Sequence, residues 1–158
     1  MADNAKEMLV FLLGSEEYGV DILKVQEIRG LEKVTPIPKA PDFLKGMVNL
    51  RGDIVPVIDL RTKFGLADDR NDSTTVMIVL RIAGRFVGAV VDGVSDVVRL
   101  APNEIKQAPR LGTVVDSAYL AGVATQGGRM ILALDIEHLL SSGELDLLGM
   151  AASEAAAR

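Results

Sequence analysis

Phe43-Leu44-Lys45-Gly46-Met47-Val48 returns 76 positions later as Tyr119-Leu120-Ala121-Gly122-Val123-Ala124. Aromatic, leucine and glycine coincide. The match continues with Gly52 over Gly128, then Ile54-Val55-Pro56-Val57-Ile58-Asp59-Leu60 over Met130-Ile131-Leu132-Ala133-Leu134-Asp135-Ile136. An earlier block repeats at an offset of 69, setting Gly19 on Gly88, Ile22 on Val91, Val25 on Val94, Glu27 on Asp96 and Ile28 on Val97. Apolar meets apolar and acid meets acid, so the chain carries an internal duplication, with about seven residues gained between the two blocks of the second half.

Each copy opens on the same local signal. Met8 to Leu13, the polar stretch Gly14 to Glu17, and Tyr18-Gly19-Val20 read as strand, turn and strand. Val76 to Ile82, Ala83-Gly84-Arg85 and Phe86 to Val91 repeat it with β-branched residues on both sides of a glycine turn. The expected order per copy is a hairpin, a third strand, a turn-rich connection, a second hairpin and a short helix. Pro36, Pro38 and Pro41 break the first connection, and Pro102 and Pro109 the second, so neither is a central strand. One helical turn is expected in each, at Asp42 to Lys45 and at Pro102 to Ile105. Five short strands per copy predict a mainly β fold of two small five-stranded barrels, because a barrel removes exposed sheet edges. Barrels this small are marginal alone and should pack together as one unit over about residues 8–150. The subdomains fall at about 8–70 and 74–140, with strand exchange at their ends left open. Gly65 to Ser73 reads as the linker, Asp135 to Leu148 as a C-terminal helix with a second amphipathic turn, and 1–7 and 151–158 as flexible tails.

Composition narrows the function. The 158 residues are 49% hydrophobic and 25% charged, which excludes a disordered chain, and the longest apolar runs are too short to span a bilayer. The absence of cysteine fits a reducing compartment, so the cytoplasm is the expected location. Seventeen basic against 22 acidic residues give a net charge of -5, the wrong sign for binding through phosphate counterion release. With four Phe, two Tyr and no Trp, stacking platforms for single strands are scarce as well. An oligonucleotide- or other ligand-binding small barrel is the alternative reading that these features disfavour.

Chemistry-bearing constellations are few. His138 lies one turn after Asp135, but there is no second histidine, no nucleophile motif and no ligand cluster, so no catalytic residue, metal or cofactor is expected. Gly84, Gly88 and Gly93 sit inside strand patterns rather than a phosphate loop. Arg51-Gly52-Asp53 reads as a hairpin turn. Arg51 is distinctive because its counterpart in the second copy is Gly127, so the duplication is broken there by a long cation. In Lys24 to Gly30, alternation sends Val25 and Glu27 to one face. If that face lies near the Arg51 turn, Glu27 and Arg51 can pair and fix geometry.

Leu9-Val10-Phe11 through Glu17 to Arg29, Phe43 to Gly52, Ile54 to Arg61, Val87 to Val97 and Tyr119 to Gly122 together resemble the CheW-like domain family of bacterial chemotaxis, over roughly Leu9 to Leu148. The resemblance implies two five-stranded SH3-like or OB-like barrel subdomains. It also implies a non-enzymatic adaptor joining the regulatory domain of the histidine kinase CheA to the cytoplasmic tips of methyl-accepting chemotaxis receptors. The adaptor would sit at receptor arrays on the inner face of the membrane, touching the membrane only through receptors and binding no nucleic acid. Family receptor-binding positions that match here are Val25, Glu27, Gly46, Arg51, Val76, Gly88 and Val97, with the two glycines expected to let a receptor helix approach closely. Kinase-binding positions are Ile28 and Val34, and Lys106 and Leu111 for a second contact that closes rings. Lys106 stands where the family suggests arginine, and Leu111 where an aromatic residue is common.

Overall fold

The computed structural model describes residues 5–66, 71–107, 120–141 and 143–146. Eleven strands are present among them. β1 (Lys6–Leu13), β2 (Glu16–Asp21), β3 (Val25–Gly30), β4 (Leu44–Leu50) and β5 (Asp53–Asp59) precede a short helix α1 (Leu60–Lys63). β6 (Val76–Ile82), β7 (Arg85–Val91), β8 (Gly93–Leu100), β9 (Ile105–Lys106), β10 (Leu120–Gln126) and β11 (Arg129–Leu134) follow. β2 and β7 start 69 residues apart, and β4 and β10, like β5 and β11, start 76 apart, so both offsets survive as structure.

The strands do not segregate by copy. One sheet has the order β8-β1-β2-β11-β10-β9 and the other β3-β6-β7-β5-β4. Each first hairpin therefore completes the sheet built from the other copy. The exchange left open for the ends of the units at 8–70 and 74–140 involves a whole hairpin from each copy. One sheet has six strands because β9, two residues long, pairs with β10 through Val123↔Lys106 and Ala124↔Ile105. The matching place in the other sheet is filled by a single bridge, Thr35↔Met47. The parallel pairings repeat too, with Gly19 opposite Ala133 and Gly88 opposite Val57.

Alternation along the hairpins divides the core into three. Met8 and Val10 of β1 meet Val98, Leu100, Ala124, Ile131 and Ala133 inside the six-stranded sheet. Met77 and Val79 of β6 meet Val48, Leu50, Val55, Val57 and Val90 inside the five-stranded one. Strands from both sides of a sheet share one cluster only if the sheet curls, which gives each its barrel character. The opposite faces of the same hairpins, Leu9, Phe11 and Leu13 with Ile78, Leu80 and Ile82, join Leu139 and Leu140 in the core between the sheets. Strands buried on both faces explain the continuous apolar runs in the hairpins.

Two local expectations change. The region at Asp42 to Lys45 is a turn leading into β4, fixed by Leu44 N–H donating to the Pro41 carbonyl at 3.0 Å, whereas a 3-10 turn does form at Pro102–Glu104. The C-terminal helix is divided: a 3-10 turn at Ile136–His138 is capped by Asp135, and residues 143–146 are helical. Ser141 starts this second segment, its Oγ accepting from Glu144 N–H at 3.1 Å while Glu144 Oε1 accepts from Ser141 N–H at 2.8 Å. That reciprocal pair satisfies two otherwise orphaned amides. The expected N-terminal tail is shorter than 1–7, since Lys6 and Glu7 begin β1 and pair with Leu100 and Arg99 of β8. Residues 1–4, part of the linker, Leu147, Leu148 and the C-terminal tail lie outside the described residues.

Candidate functional site: a charged rim closing the five-stranded barrel

β3 and β4 are the two ends of the five-stranded sheet, and curling brings them together. Arg51 stands at the tip of the β4-β5 turn with φ of 53°, next to Gly52 with φ of 93°. The Gly52 N–H is held by Asn49 Oδ1 at 2.8 Å. From this turn Arg51 Nη2 donates to Glu27 Oε1 on β3 at 2.9 Å. Arg29 approaches the other Glu27 oxygen at 3.5 Å and also pairs with Glu32. The expected Glu27–Arg51 pair is therefore formed, with Arg51 at 72% side-chain exposure and Glu27 at 24%. An exposed pair of this kind contributes only about 0–1 kcal/mol, so its value lies in geometry and in the charges it offers a partner. A cleft of about 90 Å³ lies under it, lined by Glu27, Leu50, Arg51, Val55, Val79 and Phe86.

The second copy keeps the device although Gly127 occupies the Arg51 position. Arg129, two residues further on, binds Asp96 through Nη1 at 3.0 Å and Nη2 at 2.9 Å, and Nη2 also reaches Glu17 at 2.6 Å. Asp96 is the offset partner of Glu27, and the Arg129 hydrogen bond holds its carboxyl below the usual range. The two rims differ in what is left over: Arg129 serves two carboxylates of its own chain, whereas Arg51 serves one and projects into solvent.

The remaining candidate positions scatter. Val25 and Val76 are half-buried against the central core at opposite ends of the β3–β6 ladder, opposite Leu80 and Gly30 respectively. At about 3.3 Å per residue they stand roughly 15 Å apart. Val97 is exposed on β8 of the other sheet, and Ile28, its offset partner, is exposed on β3. Val34 packs against the core of the five-stranded barrel beside a recess of about 430 Å³ lined also by Leu31, Lys45, Val57 and Val90. Lys106 is exposed on β9, and Leu111 lies outside the described residues.

Gly46 and Gly88 require a correction. Both are buried, and what approaches them is their own chain. A Cβ on Gly46 would stand 2.0 Å from the Thr35 carbonyl oxygen, and one on Gly88 would stand 2.4 Å from the Met77 sulfur. Gly88 bears on the rim indirectly, since Met77 pairs with Arg29. Gly88→Ala is expected to cost about 1–3 kcal/mol by overpacking, partly recovered by Met77→Ala, as read from urea unfolding midpoints. No loss in Gly88→Ala would contradict the packing described.

Sequence reasoning missed Arg61. It is 1% exposed, and its guanidinium donates to Asp59 Oδ1 at 3.0 Å and Oδ2 at 2.9 Å, to Asp92 Oδ1 at 3.1 Å and to Asn71 Oδ1 at 2.7 Å. The hydrogen bonds Arg61 donates to Asp59, with that to Asp92, push its pKa up against the opposing effect of burial. The signal was a lone arginine directly after an apolar run, with aspartates ending both β5 and the β7 region. His138 is exposed and bonds Asp135 at 2.6 Å. As Asp135 also accepts the Glu137 N–H at 3.2 Å, this pair stabilises the start of the 3-10 turn. Among the described residues there is no cluster able to hold a metal ion, and no helix long and apolar enough to cross a membrane.

Comparison with known proteins agrees with the geometry. Residues 7–144 match the family model described as CheW-like domain. The chain is 53% identical over 143 residues to the chemotaxis protein CheW of Klebsiella aerogenes, covering 90% of this chain and 86% of that one. It is 31% identical over 144 residues to the chemotaxis protein CheW of Rhizobium meliloti, covering 91% and 93%. The crystal structure of the scaffolding protein TtCheW from Thermoanaerobacter tengcongensis superposes with a TM-score of 0.82 at 34% identity, covering 88% of this chain and 94% of that one. Two curled sheets with exchanged hairpins, two charged rims, and matches along nearly the whole length make one case: the chain belongs to the CheW-like domain family, its relatives there being the CheW chemotaxis scaffolds, which are not enzymes.

Proposed function

We propose that this chain couples the histidine kinase CheA to the cytoplasmic tips of methyl-accepting chemotaxis receptors, within arrays on the inner face of the membrane. The observation that carries the reading is the Glu27–Arg51 pair, exposed on an edge strand beside exposed Ile28 and formed by the two positions that the family resemblance marks as receptor-binding. A receptor tip is a helical hairpin, and a helix laid along β3–β6 would meet Val25 and Val76 before crossing to Val97. Arg51 has donors to spare for a carboxylate on that helix, and Glu27 opposes wrongly charged partners. Ile28 and the Val34 recess are offered to the kinase, and Lys106 with Leu111 to a second kinase contact. Two unlike kinase surfaces on one chain make heterologous contacts that close into rings when the rotation permits. Modest contacts then gain strength from repetition in the array.

The test is CheA autophosphorylation in receptor-containing membranes with and without the chain. Receptor-dependent stimulation that attractant abolishes is expected for the native protein. In Glu27→Lys and Arg51→Ala it is expected to fall about tenfold or more, the size of a lost central charge contact, with the unfolding midpoint little changed. Full stimulation by both folded variants would remove the rim from the receptor contact.

A further inference from the structure

Each exchanged hairpin is tied at its turn by a side-chain latch, and the two latches occupy similar places in the two copies, although Lys24 falls one residue past Asp92 at the offset of 69. In the first, Arg61 lies two residues past the helix-capping Asp59, and Asp92 immediately precedes β8. These two pair at 3.1 Å, and Asp92 Oδ2 accepts the Gly14 N–H of the β1-β2 turn at 2.7 Å. In the second, Glu137 lies two residues past the capping Asp135, and Lys24 immediately precedes β3. These two pair at 3.1 Å, and Glu137 Oε2 accepts the Ala83 N–H of the β6-β7 turn at 3.1 Å. Gly14 and Ala83 are themselves 69 positions apart. The geometry is one device used twice with its charges inverted.

The two latches differ in strength. Arg61 is buried and bonded also to Asp59 and Asn71, whereas Lys24 and Glu137 are 42% and 41% exposed and Glu137 makes only these two side-chain bonds among the described residues. Solvent-exposed pairs are screened and open readily, so the second latch yields first. Its position matters because Lys24 immediately precedes β3, and Ala83 immediately follows β6, which pairs with β3 from Val25↔Leu80 to Gly30↔Val76. The end of the ladder where β3 begins is therefore tethered to Glu137 through both of its strands, and Glu137 belongs to the segment following β11 of the other sheet. We propose that the Lys24–Glu137–Ala83 latch is a conformational relay through which the segment after β11 sets how firmly β3 is held. Resting on the receptor reading above, it regulates presentation of the Glu27–Arg51 surface.

Residue-resolved amide hydrogen exchange on the full chain tests this. Glu137→Ala is expected to accelerate exchange about tenfold at Ala83 and across Val25–Gly30, the scale of one lost hydrogen bond plus an exposed pair, while Gly14 and β1 stay within about twofold. Glu137→Gln, which keeps an acceptor for Ala83, falls between. The recharged variant Lys24→Glu with Glu137→Arg copies the polarity of the first latch and is expected to restore native exchange. Unchanged exchange in Glu137→Ala, an equal rise in both sheets, or no recovery on recharging would each overturn the latch. Receptor control of CheA separates the two readings. Control intact in Glu137→Ala but lost in Arg51→Ala overturns the relay, whereas control intact in Arg51→Ala overturns the receptor reading instead.

Discussion

Arg61→Met is expected to lower the unfolding free energy by about 3–5 kcal/mol, because it strands a buried carboxylate that had been fully paired. Asp59 is 3% exposed and receives both its side-chain bonds and its charge compensation from Arg61. With total stability of about 5–15 kcal/mol for an ordinary domain, such a loss is a large part of the whole. The same guanidinium links α1 to Asn71 within the linker and to Asp92, which anchors the Gly14 turn, so the first exchanged hairpin should loosen with it. Adding Asp59→Asn removes the stranded charge while keeping an oxygen to cap α1, and should recover part of the loss. Urea unfolding at neutral pH reads both variants; a drop below about 1 kcal/mol in Arg61→Met would show the network to be dispensable.

Gly46→Ala should be comparably severe for a different reason. The added methyl would sit 2.0 Å from the Thr35 carbonyl oxygen and 2.7 Å from its carbon, both backbone atoms that cannot swing away, at a residue with φ of 148°. Relief requires withdrawing Thr35 from β4, which breaks the Thr35 N–H to Met47 carbonyl and Met47 N–H to Thr35 carbonyl bonds, each 2.9 Å. Overpacking, an unfavourable φ and two lost hydrogen bonds together make a loss of about 4 kcal/mol or more. Gly30→Ala, with nothing within 4 Å of the new carbon, is the control and should change little. Gly122→Ala meets the Lys106 carbonyl oxygen at 2.6 Å without the positive φ and should fall between them. Equal stabilities for Gly46→Ala and Gly30→Ala would refute this account.

The hairpins, the duplication and both offsets were legible in the chain because apolar alternation and turn glycines are local signals. Hairpin exchange was not legible. Leu9 and Phe11 would be apolar whichever copy's β3 and β5 they joined, since period-two patterning says which face is buried and not which neighbour covers it. The Glu27–Arg51 pair was half legible: alternation placed Glu27, and the structure supplied the curl that brings the β4-β5 turn to β3. Position-by-position alignment reported a missing arginine at Gly127, yet an arginine side chain is long enough for Arg129, two residues away, to reach Asp96. Gly46 and Gly88 were legible as close approaches, but glycine at a contact does not say whether the visitor is a partner or Thr35 and Met77.

The exchanged hairpins give the molecule the form of an arm-swapped homodimer written as one polypeptide, the linker between α1 and β6 standing where two separate termini would be. A true dimer of identical halves presents every surface twice, and a substitution that improves one face is imposed on its twin. Fusion lifts that constraint while the swapped arms keep the halves inseparable. Arg51 and Arg129, and the two oppositely charged latches, are places where the twins have already diverged. One short chain thereby carries two surfaces of common origin that are free to differ.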